Sequence, residues 1–154
     1  MLLWLVEQGH ATPQELNTIL NTQSGLAGIS GTSGDMRDLL AAEANGNDRA
    51  RLAIDAFCYA VVKTIGSYFV ALNGLDRLVF TGGIGEKGAS IRSRVVQSLS
   101  CLGIHLDEAR NAATIQQEAC ISSDHSSAQV WVIPTDEGQI VAEETAKHIL
   151  AYGA

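Results

Sequence analysis

The chain is short of cysteine, proline and positive charge, and each shortage excludes a class of protein. Its 154 residues hold three cysteines, two prolines, and 10 basic against 17 acidic residues. Cys58, Cys101 and Cys120 are odd in number and not at metal-ligand spacing, so they form neither a disulfide framework nor a zinc site. They read as reduced thiols of a cytoplasmic protein. Two prolines and no biased tract exclude a low-complexity or collagen-like chain. A net charge of −7 argues against a bulk grip on nucleic acid or anionic lipid. Backbone N–H groups and one or two arginines can still hold an anion locally. The apolar opening, Met1 to Val6, has no basic flank and no small-residue cleavage site, and Glu7 and Gln8 end it, which excludes a signal peptide. No run reaches the ~18 apolar residues expected of a membrane span.

What remains is a globular chain of one domain's length, 46% hydrophobic and 18% charged, too apolar to be disordered. It opens inside a helical pattern. Leu2, Leu3, Leu5 and Val6 form an apolar face with no cap before it, which points to the tail of something longer. Thr12-Pro13-Gln14-Glu15 reads as a capping box with proline in the first turn. The helix it starts should stop between Asn21 and Gly25. Residues 25–34 are glycine-rich and predict tight backbone. Asp35 is the expected N-cap of the next helix. From about Arg49 to Leu72, apolar residues recur at steps of three and four, which predicts a long helix that is central or forms a subunit contact. Asn73-Gly74 stops it. Arg77 to Phe80 reads as a buried strand, followed by the glycine turn Thr81-Gly82-Gly83-Ile84-Gly85 and a helix from about Ser90 to Leu99. Ala119–Ile121 and Val130–Ile133 are further strands, and a last helix runs from about Gly138 to Leu150. Strands alternating with helices make the fold class α/β.

Three groups can carry chemistry. The strand, glycine turn and helix around residues 81–85 suit a ligand lying on bare main chain at a strand's carboxyl end. The spacing is neither a Walker A loop nor a dinucleotide fingerprint, and a plain tight turn explains it equally. Asp35-Met36-Arg37 can hold ribose hydroxyls and stack on a base, or can be a helix cap with a surface ion pair. Asp136 and Glu137, after a strand and Pro134, can hold Mg²⁺ beside phosphates, or can simply favour a helix N-terminus. His10, His105, His125 and His148 have no partner at metal spacing and read as surface or packing residues.

In order and separation, these segments resemble the acetate and propionate kinase family. The resemblance rests on Ser24 to Gly31, on Ser33-Gly34-Asp35-Met36-Arg37-Asp38-Leu39, and on Leu78 to Glu86. It continues through Leu102-Gly103-Ile104, Leu106-Asp107 and Val132-Ile133-Pro134-Thr135-Asp136-Glu137. It implies the C-terminal part of an actin, sugar kinase and Hsp70-like (ribonuclease H-like) domain, a mixed sheet flanked by helices. It implies transfer of phosphoryl between ATP and a short carboxylate such as acetate or propionate, with Mg²⁺, in a cytoplasmic homodimer with no nucleic-acid or membrane partner. The family's ATP-binding residues fall on Asp35, Met36, Arg37, Gly83, Ile84, Gly85, Glu86 and Lys87, and its Mg²⁺-associated glutamate falls on Glu137. Lys87 stands where the family has asparagine, Gly34 where it has serine, and Asp136 and Gly138 flank Glu137 where it has asparagine and glutamate. The family's Asn-x-Gly-Ser-Ser-Ser-x-Lys and His-x-Gly-Asn-Gly segments, its catalytic aspartate and its phosphate-binding arginines have no counterpart. The chain is therefore expected to hold adenosine and to lack turnover alone. The alternative is a non-catalytic nucleotide-binding or dimerisation module, or a truncated product without function.

Overall fold

The structure is a computed structural model that describes residues 1–152, except for the side chains of Glu137, Gln139, Ile140, Glu143, Leu150, Ala151 and Tyr152. The chain divides into two compact units, Met1–Gly66 and Ser67 onward.

The first unit is helical. Helix α1 (Leu2–Glu7) has no side-chain cap, and its apolar face stays open, with Leu3 78% and Trp4 53% exposed. Helix α2 (Pro13–Thr18) starts at the expected capping box. The Thr12 hydroxyl accepts from the Glu15 N–H at 3.2 Å, and the Glu15 carboxylate accepts from the Thr12 N–H at 2.7 Å. These bonds satisfy two of the donors that a helix start leaves unpaired. A π-helical turn (Ile19–Gln23) ends this element where expected. The glycine-rich stretch departs from expectation. Part of it coils into a short helix α3 (Gly25–Ser30), stopped by Gly31 at φ +71°. The Arg49 guanidinium then donates to the freed Ile29 carbonyl at 3.0 and 2.9 Å. Helix α4 (Met36–Ala44) begins at Asp35. The buried apolar residues here are Met36, Leu39, Ala50, Ala53, Ile54 and Cys58.

Helix α5 (Asp48–Ala71) matches the expected span within one residue. Contrary to the sequence reading, its length and composition are sufficient to cross a membrane. It nevertheless carries Asp48, Arg49, Arg51, Asp55 and Lys63, which are costly to bury in a lipid-facing helix. Of the two expectations, central or subunit contact, the first does not fit its exposed Leu52, Tyr59, Tyr68 and Val70.

The second unit is α/β. Its elements are β1 (Arg77–Phe80), α6 (Gly82–Lys87), α7 (Ala89–Gln97), a 3₁₀ turn (Ser100–Leu102), α8 (Glu108–Ala113), β2 (Ala119–Cys120), β3 (Gln129–Val132) and α9 (Glu137–Tyr152). The sheet is mixed, in the order β1-β3-β2, with β1 parallel and β2 antiparallel to β3. Val130 and Val132 on the central strand are fully buried, as are Val95, Ile104 and Ile121. Each such side chain contributes about 1.5–3 kcal/mol. The expected buried strand at residues 77–80 is instead an edge strand whose exposure alternates, with Val79 44% exposed. Successive side chains of a strand point to opposite faces, and only one face of β1 is partly covered, which produces that period of two. The 3₁₀ turn and α8 were not anticipated.

Candidate functional site

The site in the second unit follows from strand polarity. β1 and β3 are parallel neighbours, so both deliver their following segments to the same end of the sheet. A last rung, from the Ile133 N–H to the Phe80 carbonyl at 3.0 Å, holds the two strands together just before they leave it. From β1 the chain enters the glycine segment, and from β3 it enters Pro134-Thr135-Asp136 and α9. Ligands of open α/β sheets sit at such carboxyl ends.

The expected glycine turn is a short helix. Thr81 is extended, Gly82 turns at φ +69°, and α6 starts there. The glycines have different reasons to be glycine. A Cβ on Gly85 would lie 3.2 Å from the Phe80 carbonyl carbon, so close packing on β1 disfavours one. A Cβ on Gly83 would meet nothing within 4 Å, and its φ is not positive. The fold alone does not require glycine at position 83.

Beneath α6 lies Arg92, completely buried. Its guanidinium donates to the carbonyls of Gly85 (2.8 Å), Glu86 (3.0 Å), Asn111 (2.8 Å) and Thr114 (2.8 Å), and to Asn111 Oδ1 (2.7 Å). Burial pushes its pKa down, and the ring of oxygens compensates the charge. Sequence reasoning missed this residue. Glu86 is 6% exposed, and its Oε1 accepts from the Thr135 N–H at 3.0 Å and the Thr135 hydroxyl at 3.1 Å. The Thr135 N–H, helped by its hydroxyl, the Gly82 N–H and the Lys87 charge, holds this carboxyl below its ordinary range. A hollow of about 700 Å³ lined by Leu72 to Arg77 lies at the amino end of β1, at the other end of that strand from the glycine segment.

Asp35, Met36 and Arg37 lie in the first unit. Asp35 Oδ1 caps α4 by accepting the Arg37 N–H at 2.8 Å. The Arg37 side chain, 87% exposed, closes on the same carboxylate at 3.0 and 2.5 Å. That side-chain bond, with the Arg37 N–H, lowers the Asp35 pKa to about 2. Met36 is buried, which leaves its main chain rather than its side chain for contact. Glu137 opens α9, and its side chain lies outside the described residues. Among the described residues, no three His, Cys, Asp or Glu side chains are grouped to hold a metal. His105 and His125 stack at 5.2 Å, an arrangement not foreseen.

Parallel strands that feed a glycine helix and an acidic helix start define part of the actin, sugar kinase and Hsp70-like fold. The chain belongs to the Acetokinase family, whose pattern matches residues 1–143. It is 45% identical over 142 residues to the acetate kinase of Methanosarcina barkeri, covering 92% of this chain and 35% of that protein. It is 44% identical over 151 residues to the propionate kinase of Citrobacter rodentium, covering 98% and 37%. The crystal structure of Porphyromonas gingivalis acetate kinase matches 95% of this chain and 37% of its own, with 36% identity and a TM-score of 0.84. The chain thus spans little more than a third of the length of the relatives it matches.

Proposed function

We propose that this chain forms the adenosine side of the ATP site of an acetate kinase, which transfers phosphoryl between ATP and acetate to give ADP and acetyl phosphate. The observation that carries this reading is the bare main chain at Gly83, a glycine that neither packing nor backbone angle requires. A ligand plane resting there supplies the missing reason. On this reading Gly83, Ile84 and Gly85 offer main chain to the adenosine, and Lys87 adds positive charge beside it. Glu86 acts from below. Asp35, Met36 and Arg37 of the first unit enter this reading on the family's Asp-Met-Arg pattern alone, with Met36 anchoring its turn in the core of that unit.

Mg²⁺ would neutralise phosphate charge when bound. It is normally held by one or two carboxylates plus the phosphates themselves. Asp136 and Glu137 supply the oxygen donors. These 154 residues correspond on this reading to the C-terminal nucleotide-binding part of the family's length, and taken on their own they should give negligible acetyl phosphate. Exposed Leu52, Tyr59, Tyr68 and Val70 on α5 support a homodimer. The acceptor is a short carboxylate, acetate or propionate, and the cytoplasm is the expected compartment.

Gly83→Ala tests the reading. Alanine favours helix over glycine by about 1 kcal/mol, so stability should hold or rise. Affinity for ADP, measured by calorimetry, should fall about tenfold or more. Unchanged ADP binding, or none by the parent chain, defeats the proposal, and acetyl phosphate formation above background defeats the claim of inactivity.

A further inference from the structure

The sequence pattern places Glu86 among nucleotide ligands, yet its carboxylate is buried and engaged by Thr135. We propose that Glu86 is a positioning residue: a clasp between α6 and the entry of α9 that holds the glycine seat and the acidic segment at one spacing before any ligand arrives.

The strand ladder ends at the rung between Phe80 and Ile133. Beyond it the two chains part, one into α6 and the other toward α9. The contact between Glu86 and Thr135, residues 49 apart in sequence, joins them again. The near end of the clasp is fixed. The Glu86 carbonyl accepts from Arg92 Nη1 at 3.0 Å and from the Gln116 N–H at 3.3 Å, so the main chain that carries the side chain is held. The far end is two donors of a single residue, both on Oε1. A buried carboxylate is tolerated only with such donors, and a carboxylate bonded to N–H and O–H prefers its charged, acceptor-only form. An acceptor-only group is a poor direct partner for phosphate, which also only accepts and carries the same sign. Thr135 is followed directly by Asp136 and Glu137, so the clasp fixes the main chain from which both acidic side chains spring.

The clasp rests on the nucleotide reading only for its functional consequence. Two variants of the full chain test it, Glu86→Gln, which loses the charge, and Thr135→Val, which loses the hydroxyl but keeps the N–H. Amide hydrogen exchange by NMR is read first. In Glu86→Gln the Thr135 amide should exchange about tenfold faster, while the Ile133 amide, bonded to Phe80, stays protected and reports an intact sheet. ADP is then titrated with Mg²⁺ and with chelator. Thr135→Val should bind metal-free ADP within about twofold of the parent, and both variants should lose about fivefold of the gain that Mg²⁺ confers. An unchanged Thr135 exchange rate overturns the clasp. So does an equal loss with and without metal confined to Glu86→Gln, which marks Glu86 as a direct nucleotide ligand. If the parent chain binds no ADP, the nucleotide reading falls, and the Thr135 exchange rate still decides the clasp.

Discussion

Replacing Arg92 by leucine puts the most weight on one side chain. The guanidinium is fully buried and makes five hydrogen bonds of 2.7 to 3.0 Å, four of them to main-chain carbonyls. Leucine removes every donor and leaves five buried acceptors to find others. Hydrogen bonds to a charged group contribute about 1.5–3 kcal/mol each. Against their total stands the desolvation of the guanidinium, several kcal/mol, which leucine avoids. With neutral carbonyl oxygens left short of donors at about 1–3 kcal/mol each, a net loss of about 3–5 kcal/mol follows. That is a large share of the 5–15 kcal/mol typical of a domain. Lysine separates charge from geometry. It keeps the charge but sends three donors from one nitrogen, which cannot reach Gly85 on one side and Thr114 on the other as a planar fork does. Arg92→Lys should therefore also lose about 2 kcal/mol or more. Urea unfolding followed through Trp131, with Trp4→Phe to silence the first unit, gives the numbers. If Arg92→Leu falls within about 1 kcal/mol of the parent, or lysine fully replaces arginine, the guanidinium does not hold α6 in place.

Gly88→Ala should destabilise by about 1–3 kcal/mol, because its Cβ would stand 2.6 Å from the Ile84 carbonyl oxygen. Gly83→Ala in the same denaturation assay should show no loss, and equal losses would mean that the space above Gly83 is not open. The Asp35 carboxyl should titrate near pH 2 by NMR, because Arg37 favours its ionised form. Its folded pKa lies below the unfolded value, so its contribution to the α4 start is complete above about pH 4 and is lost as pH falls through about 2. A midpoint in the ordinary carboxylate range, or no shift of that midpoint in Arg37→Ala, contradicts the ion pair.

What the sequence made legible was local. Thr12 with Glu15, and Asp35 at the start of α4, are recognised by spacing alone because a cap acts within one turn. The long helix follows from apolar steps of three and four, and the three strands from short apolar runs. The same logic could have found α8, where Asp107 caps by accepting the Arg110 N–H at 2.9 Å. It was missed because the helix has six residues and too few apolar positions to show a stripe. Arg92 also left a signal. It falls among Ile91, Val95, Val96 and Leu99, the buried positions of α7 and the residues just after it, where a charged residue has no place unless something pairs with it. Its partners in α6 and α8 come from elsewhere in the chain, and no spacing rule reaches them. The clasp from Glu86 to Thr135 was beyond sequence reasoning for the same reason. It exists only because β1 and β3 run parallel in one register, and parallel pairing joins segments whose separation is set by everything folded between them. The glycines of α6 announce a place where main chain is bare. Which side chains hold that place is decided by the sheet.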